Sequence, residues 1–82
     1  ISIYPNPAVD FVNDELGSNA RGNYSIQLTD AAGRTVNIKT ITNAQPNQLI
    51  TMQRNGLASG VYVLKIVSSH YNETTLTKVV FK

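Results

Sequence analysis

Catalysis needs groups that exchange protons, attack carbonyls or hold ions, and this sequence carries few of them. His70 is the single histidine. Its neighbours Tyr71 and Asn72 supply neither a second base nor a carboxylate to orient the imidazole, so an acid–base pair or a triad has no starting point. It reads as a solvated turn residue. There is no cysteine, which excludes disulfides, zinc–thiolate centres, iron–sulfur clusters and thiol nucleophiles. Asp10, Asp14 and Glu15, with Asn13, are the densest set of oxygen ligands, but they lack the alternation and the glycine of a calcium loop. The chain is expected to be no enzyme and to use no metal or cofactor. Asn23-Tyr24-Ser25 and Asn72-Glu73-Thr74 match the N-glycosylation acceptor pattern, which is short enough to arise by chance.

The remaining charges are seven Lys/Arg against five Asp/Glu, a net +2. Arg21, Arg34, Lys39, Arg54, Lys65, Lys78 and Lys82 stand singly, whereas phosphate neutralisation along a nucleic acid needs clusters. Nucleic acid is not an expected partner. No apolar run reaches the roughly 18 residues of a membrane helix, so direct membrane insertion is not expected either. The N-terminus lacks the basic-then-apolar order of a signal peptide. Because the sequence begins at Ile1 and not at Met, residues 1–82 read as a single domain cut from a longer protein.

A chain of this kind can act by presenting a surface, and its elements decide which. At 82 residues with 41% hydrophobic content there is room for one domain with a small core. Gly, Pro, Asn and Asp punctuate short runs of alternating Val, Ile, Thr and Tyr, the pattern of an all-β domain. Ile1 and Ile3 share a face before Tyr4-Pro5-Asn6-Pro7 stops the first strand. A second strand is expected over about 8–14. In the third, over 23–29, Tyr24, Ile26 and Leu28 face the core. Asp30-Ala31-Ala32-Gly33 reads as a hairpin loop returning the chain along 34–41, where Val36 and Ile38 keep one parity and Ile41 breaks it, which places a bulge near Lys39-Thr40. A short strand follows at 48–53. The run around Val61–Val67 is apolar on both parities and reads as a central strand covered on both faces. The last strand, 73–82, turns Thr75, Thr77, Val79 and Phe81 one way and Lys78, Val80 and Lys82 the other. About seven strands without a helical period predict an antiparallel β-sandwich. Its core is expected to hold Tyr24, Ile26, Leu28, Val36, Ile38, Tyr62, Leu64 and Ile66.

Three segments, in their order and spacing, carry a resemblance over essentially the whole chain. They are Tyr4-Pro5-Asn6-Pro7-Ala8, then Leu28-Thr29-Asp30-Ala31-Ala32-Gly33-Arg34-Thr35-Val36, then Leu57-Ala58-Ser59-Gly60-Val61-Tyr62-Val63-Leu64-Lys65 ahead of Lys78-Val79-Val80-Phe81-Lys82. Together the sequence resembles the type A C-terminal sorting domain of the type IX secretion system. The resemblance implies an immunoglobulin-like sandwich at the end of a secreted protein of a Gram-negative bacterium. It implies passage through the periplasm and delivery of an upstream cargo domain to the cell surface or the medium. The implied partners are an outer-membrane shuttle, a translocon and a sortase-type protease that cuts upstream of the domain. The family pattern often has an acidic or Gly residue soon after its Pro-Asn-Pro, and here Asp10 stands in roughly that place.

Each motif also has a structural task. Pro5, Asn6 and Pro7 stiffen a strand exit and blunt a sheet edge. Asp30, Gly33 and Arg34 form a hairpin tip in which Arg34 either pairs with Asp30 or serves as an exposed docking contact. Gly60 supplies a positive φ or a close approach, and Tyr62 a buried ring whose hydroxyl needs a partner. The exposed face of the last strand, with Lys78, Val80 and Lys82, is the candidate contact with the secretion machinery, by docking or by strand addition. Two other functions compete. A carbohydrate-binding or adhesive sandwich would need a stacking platform of exposed aromatics, for which the absence of Trp and the presence of only Phe11, Phe81 and four Tyr leave little material. A passive spacer of the fibronectin kind could stand anywhere in its parent, whereas a sorting domain ends it.

Overall fold

A computed structural model describes residues 2–82. Seven strands follow one another: β1 (Ser2–Tyr4), β2 (Phe11–Glu15), β3 (Tyr24–Thr29), β4 (Thr35–Ile41), β5 (Leu49–Gln53), β6 (Gly60–Ser68) and β7 (Glu73–Phe81). They form two antiparallel sheets, one ordered β1-β2-β5 and the other β4-β3-β6-β7. No helix interrupts them among the described residues. The immunoglobulin constant arrangement keeps its fourth strand beside the first, second and fifth. Here β4 instead extends the sheet of β3, β6 and β7.

Period-two alternation builds the core. Val12, Ile50 and Met52 point inward from the three-stranded sheet; Tyr24, Ile26, Leu28, Tyr62, Leu64, Ile66, Val79 and Phe81 meet them from the other. Burying each large apolar side chain is worth about 1.5–3 kcal/mol, which gives so small a domain its stability. Leu16, Ala20 and Ala44 close the end where β2 runs into β3 and β4 into β5. Ile3 packs against this cluster from its margin; its proposed face-mate Ile1 lies outside the described residues.

Three expectations change. The second strand begins at Phe11 rather than residue 8, since Ala8 forms an isolated parallel bridge with Phe81. The irregularity in β4 lies nearer its start than Lys39-Thr40. Leu28 pairs with Asn37 but Thr29 with Thr35, so Val36 is the extra residue. The bulge reverses parity early, sending Ile38 outward, 57% exposed, and Ile41 inward against the core. Finally, β6 is central in its sheet, but only one face is covered. Two layers leave each sheet one wet face, and Val61 and Val63 stand on it, 46% and 38% exposed.

Candidate functional site

Most residues singled out in the sequence converge on one end of the sandwich, around the C-terminal half of β7. This strand is an edge of the four-stranded sheet, so alternate residues turn their backbone groups away from β6 toward open space. The segment after β1 fills that space. The Asn6 amide donates to the Lys78 carbonyl at 3.0 Å and its side-chain oxygen accepts from the Val80 N–H at 3.2 Å, as a neighbouring backbone amide would. Ala8 continues the pairing, its N–H donating to the Val80 carbonyl at 2.7 Å and its carbonyl accepting from the Lys82 N–H at 2.9 Å. The peptide bonds before Pro5 and Pro7 are both cis. Pro-Asn-Pro thus blunts a particular edge, and addition of a foreign strand at Lys78–Lys82 is blocked.

On the same strand the side chains of Lys78, Val80 and Lys82 turn away from the core; Lys78 and Lys82 are exposed and Val80 is half-buried. Beneath them Phe81 meets Tyr62 edge-to-face, with 5.4 Å between centroids. The Tyr62 hydroxyl donates to the Ala58 carbonyl at 2.7 Å, which satisfies its polar end. Gly60 pairs with Phe81, and its φ of 152° favours glycine although a Cβ there would meet nothing within 4 Å.

The β3–β4 hairpin tip stands beside Gly60: Asp30, Ala31 and Ala32 line one shallow concavity with Ser59, Gly60, Val61 and Tyr62. Asp30 organises the tip by accepting from the N–H groups of Ala32 and Arg34 at 3.0 and 2.9 Å and from the Arg34 guanidinium at 3.0 Å. The Arg34 backbone N–H first, then its guanidinium, hold the Asp30 carboxyl below the usual carboxylate range. Gly33 makes the turn at φ 90°. Arg34 pairs with Asp30 while its side chain stays 81% exposed.

Arg54 is the residue that sequence reading passed over. Its guanidinium donates to the carbonyls of Leu57 (2.8 Å), Val9 (2.8 Å) and Lys82 (2.6 Å) and to the Ser59 hydroxyl (3.0 Å). It also lies 5.4 Å from the Phe81 ring centroid. The Asn55-Gly56 pair that follows it is a turn signal, but a turn signal does not show what an adjoining arginine holds.

No three His, Cys, Asp or Glu side chains converge on a possible metal position among the described residues. His70 is exposed and packs edge-to-face on Tyr71. Of the oxygen ligands near β2, Asp14 points inward while Asp10 and Glu15 do not join it. Asp14 is fully buried, opposite Ile3 and Ile50, with no hydrogen-bond partner on either carboxylate oxygen among the described residues. Burial pushes its pKa up to about 7, against the opposing pull of Lys39. Lys39 bridges the two sheets on that side, its Nζ donating to the Thr51 carbonyl at 3.1 Å. One concavity, among Gly17, Asn19, Tyr24, Ile66, Ser68, Tyr71, Glu73 and Thr75, contains one carboxylate and no base.

The geometry is that of a presented surface with tied-down ends. Residues 2–82 are matched by the family model described as the secretion system C-terminal sorting domain. No curated protein matches the chain.

Proposed function

The chain belongs to the C-terminal sorting domains of the type IX secretion system, and from that premise we propose that it is a non-catalytic address label for a cargo domain preceding it in the same chain. The cargo crosses the periplasm with this domain folded behind it and reaches the cell surface or the medium. The domain engages the outer-membrane shuttle and translocon, and a sortase separates it from the cargo upstream of the sandwich. Arg34, Lys78, Val80 and Lys82 make the contact. The observation that carries the reading is the family match across residues 2–82; the exposure of Lys78 and Lys82 along β7, and of Arg34 at the β3–β4 hairpin tip, supports it.

The test is export. Residues 1–82 fused to the C-terminus of a periplasmic reporter, in a bacterium with a working type IX system, should carry the reporter to the surface or the medium. Deleting Val79–Lys82 should stop export, because it removes two core side chains together with the partners of Asn6, Ala8 and Arg54. Lys78→Ala with Lys82→Ala leaves those contacts in place and should reduce export without unfolding the domain. Normal export by the double substitution moves the contact away from these lysines. Retention of the intact fusion in the periplasm, while a native cargo leaves the same cell, overturns the sorting function itself.

A further inference from the structure

We infer that the docking surface is the outer face of the four-stranded sheet, and that its partner is a protein surface of the secretion machinery, apolar at its centre and bearing carboxylates at its margin. The inference rests on the sorting function proposed above. Four large apolar side chains stand on that face: Ile38, Val61, Val63 and Leu76, from 38% to 65% exposed. The register gathers three of them, with Val80, on β6 and β7, and sets Ile38 apart on β4. Val63 faces Lys78 across β6 and β7, Lys65 faces Leu76, Val61 faces Val80, and Gln27 of β3 stands between Ile38 and Lys65. Opposed side chains on one sheet face stand about 5 Å apart at Cβ and diagonal ones about 7–8 Å, so Val61, Val63, Val80 and Leu76 form one apolar group among Lys65, Lys78 and Gln27. Apolar residues scattered singly over a surface need no explanation, but a contiguous patch rimmed by polar residues marks an interaction site.

Charge selects the partner. Lys65, Lys78 and, just past the end of β7, Lys82 are the ionisable side chains of the face, and no carboxylate answers them there. Asp10 stands just ahead of β2 in the other sheet, Asp14 is buried, Glu15 belongs to the outer face of that other sheet, Asp30 is tied into the hairpin tip, and Glu73 has the inward register of β7. A second copy applied through the same face would set lysine against lysine, which opposes a two-fold dimer. Membrane surfaces are held by long apolar or aromatic side chains together with many basic ones. This face has three lysines, mostly short β-branched side chains and no aromatic ring. A flat apolar platform with isolated positive charges instead fits a flat protein surface with matching carboxylates. The edge of β7 is closed at Lys78–Lys82 by Asn6 and Ala8, so the open face remains available to the partner.

The reporter fusion separates this inference from its premise. Val63→Glu with Leu76→Glu, and separately Lys65→Glu with Lys78→Glu, should each lower surface delivery by about tenfold or more, the effect of losing roughly 1.4 kcal/mol of docking free energy. Leu49→Glu, on the outer face of the other sheet, should export like the unmodified chain. Thermal unfolding of the purified variants should match the unmodified domain to within a few degrees. If the Glu pair unfolds the domain, Val63→Thr with Leu76→Gln keeps strand-compatible shapes and should show the same loss. A photocrosslinking residue at position 76 should join the fusion to a protein of the secretion machinery. Failure of the unmodified fusion to leave the periplasm refutes the sorting function. Normal export by folded face variants, beside an exported unmodified chain, overturns the docking face alone. Binding of the domain to phosphatidylglycerol vesicles that Leu76→Glu abolishes, or a dimer in sedimentation that Leu76→Glu dissolves, assigns the face to lipid or to a second copy and overturns the partner.

Discussion

Both carboxylate oxygens of Asp14 lie inside the sandwich without a hydrogen-bond partner among the described residues, and burial raises the pKa of the group from about 3.8 to about 7. The folded domain therefore holds a proton that the unfolded chain has released over this interval, so stability falls as pH rises through it and levels off above the folded pKa. Lys39, the charge that opposes burial, keeps the penalty from growing further. Unfolding midpoints should fall between pH 5 and pH 8 by the equivalent of roughly 2–4 kcal/mol, and Asp14→Asn should flatten the profile by removing the ionisation. A pH-independent midpoint in the unmodified domain would show that the carboxylate finds a partner. Asp30 has the opposite sign, since its lowered pKa adds stability that is lost as the medium becomes strongly acid. The position of Asp14 was readable in the sequence: Val12, Asp14 and Leu16 share a parity, and the two apolar neighbours fix the inward direction. Grouping Asp14 with Asp10 and Glu15 as oxygen ligands obscured that signal.

At the scale of elements, the segment between β1 and β2 works as a substitute strand. The Asn6 side chain and the Ala8 backbone supply hydrogen bonds that β7 would otherwise leave open along Lys78–Lys82. Asn6→Ala should lower stability by only about 1–2 kcal/mol, because both backbone groups can turn to water. It should nevertheless raise the hydrogen-exchange rate of the Val80 amide by about tenfold. Asn6→Asp retains the acceptor for Val80 and should fall between. Unchanged exchange at Val80 in Asn6→Ala would mean that the strap holds through Ala8 alone. Strand existence was legible almost throughout, because parity and turn residues agree from Tyr24 onward. Less was legible in β4, where Ile41 announced a parity change but not its position. An even register would have served Val36 and Ile38 equally well. Only the pairing of Thr29 with Thr35 places the extra residue. The outward valines of β6 misled for a related reason: apolar residues on both parities fit a buried central strand and a strand with a sticky outer face alike.

At the scale of the whole molecule, two sheets packed through a small core need a tie where the chain passes between them, and Arg54 provides it. One planar guanidinium gathers the carbonyl of Val9 ahead of β2, that of Leu57 and the hydroxyl of Ser59 ahead of β6, and the carbonyl of Lys82 after β7, while lying against Phe81. These bonds join the two sheets at the end where the Asn6 strap closes the β7 edge. Hydrogen bonds from a charged donor contribute about 1.5–3 kcal/mol each, but these share one side chain and water can reach most of the carbonyls once it is gone. Arg54→Ala should therefore lower stability by about 2–4 kcal/mol out of the roughly 4–12 expected for a domain of this length, a fall in midpoint of about 10–20 °C. Arg54→Lys should recover less than half of the loss, since a compact ammonium cannot reproduce the planar fork that spans the four acceptors. Full rescue by lysine would mean that positive charge near Lys82 and Phe81, and not the geometry of the fork, holds the end of the sandwich together.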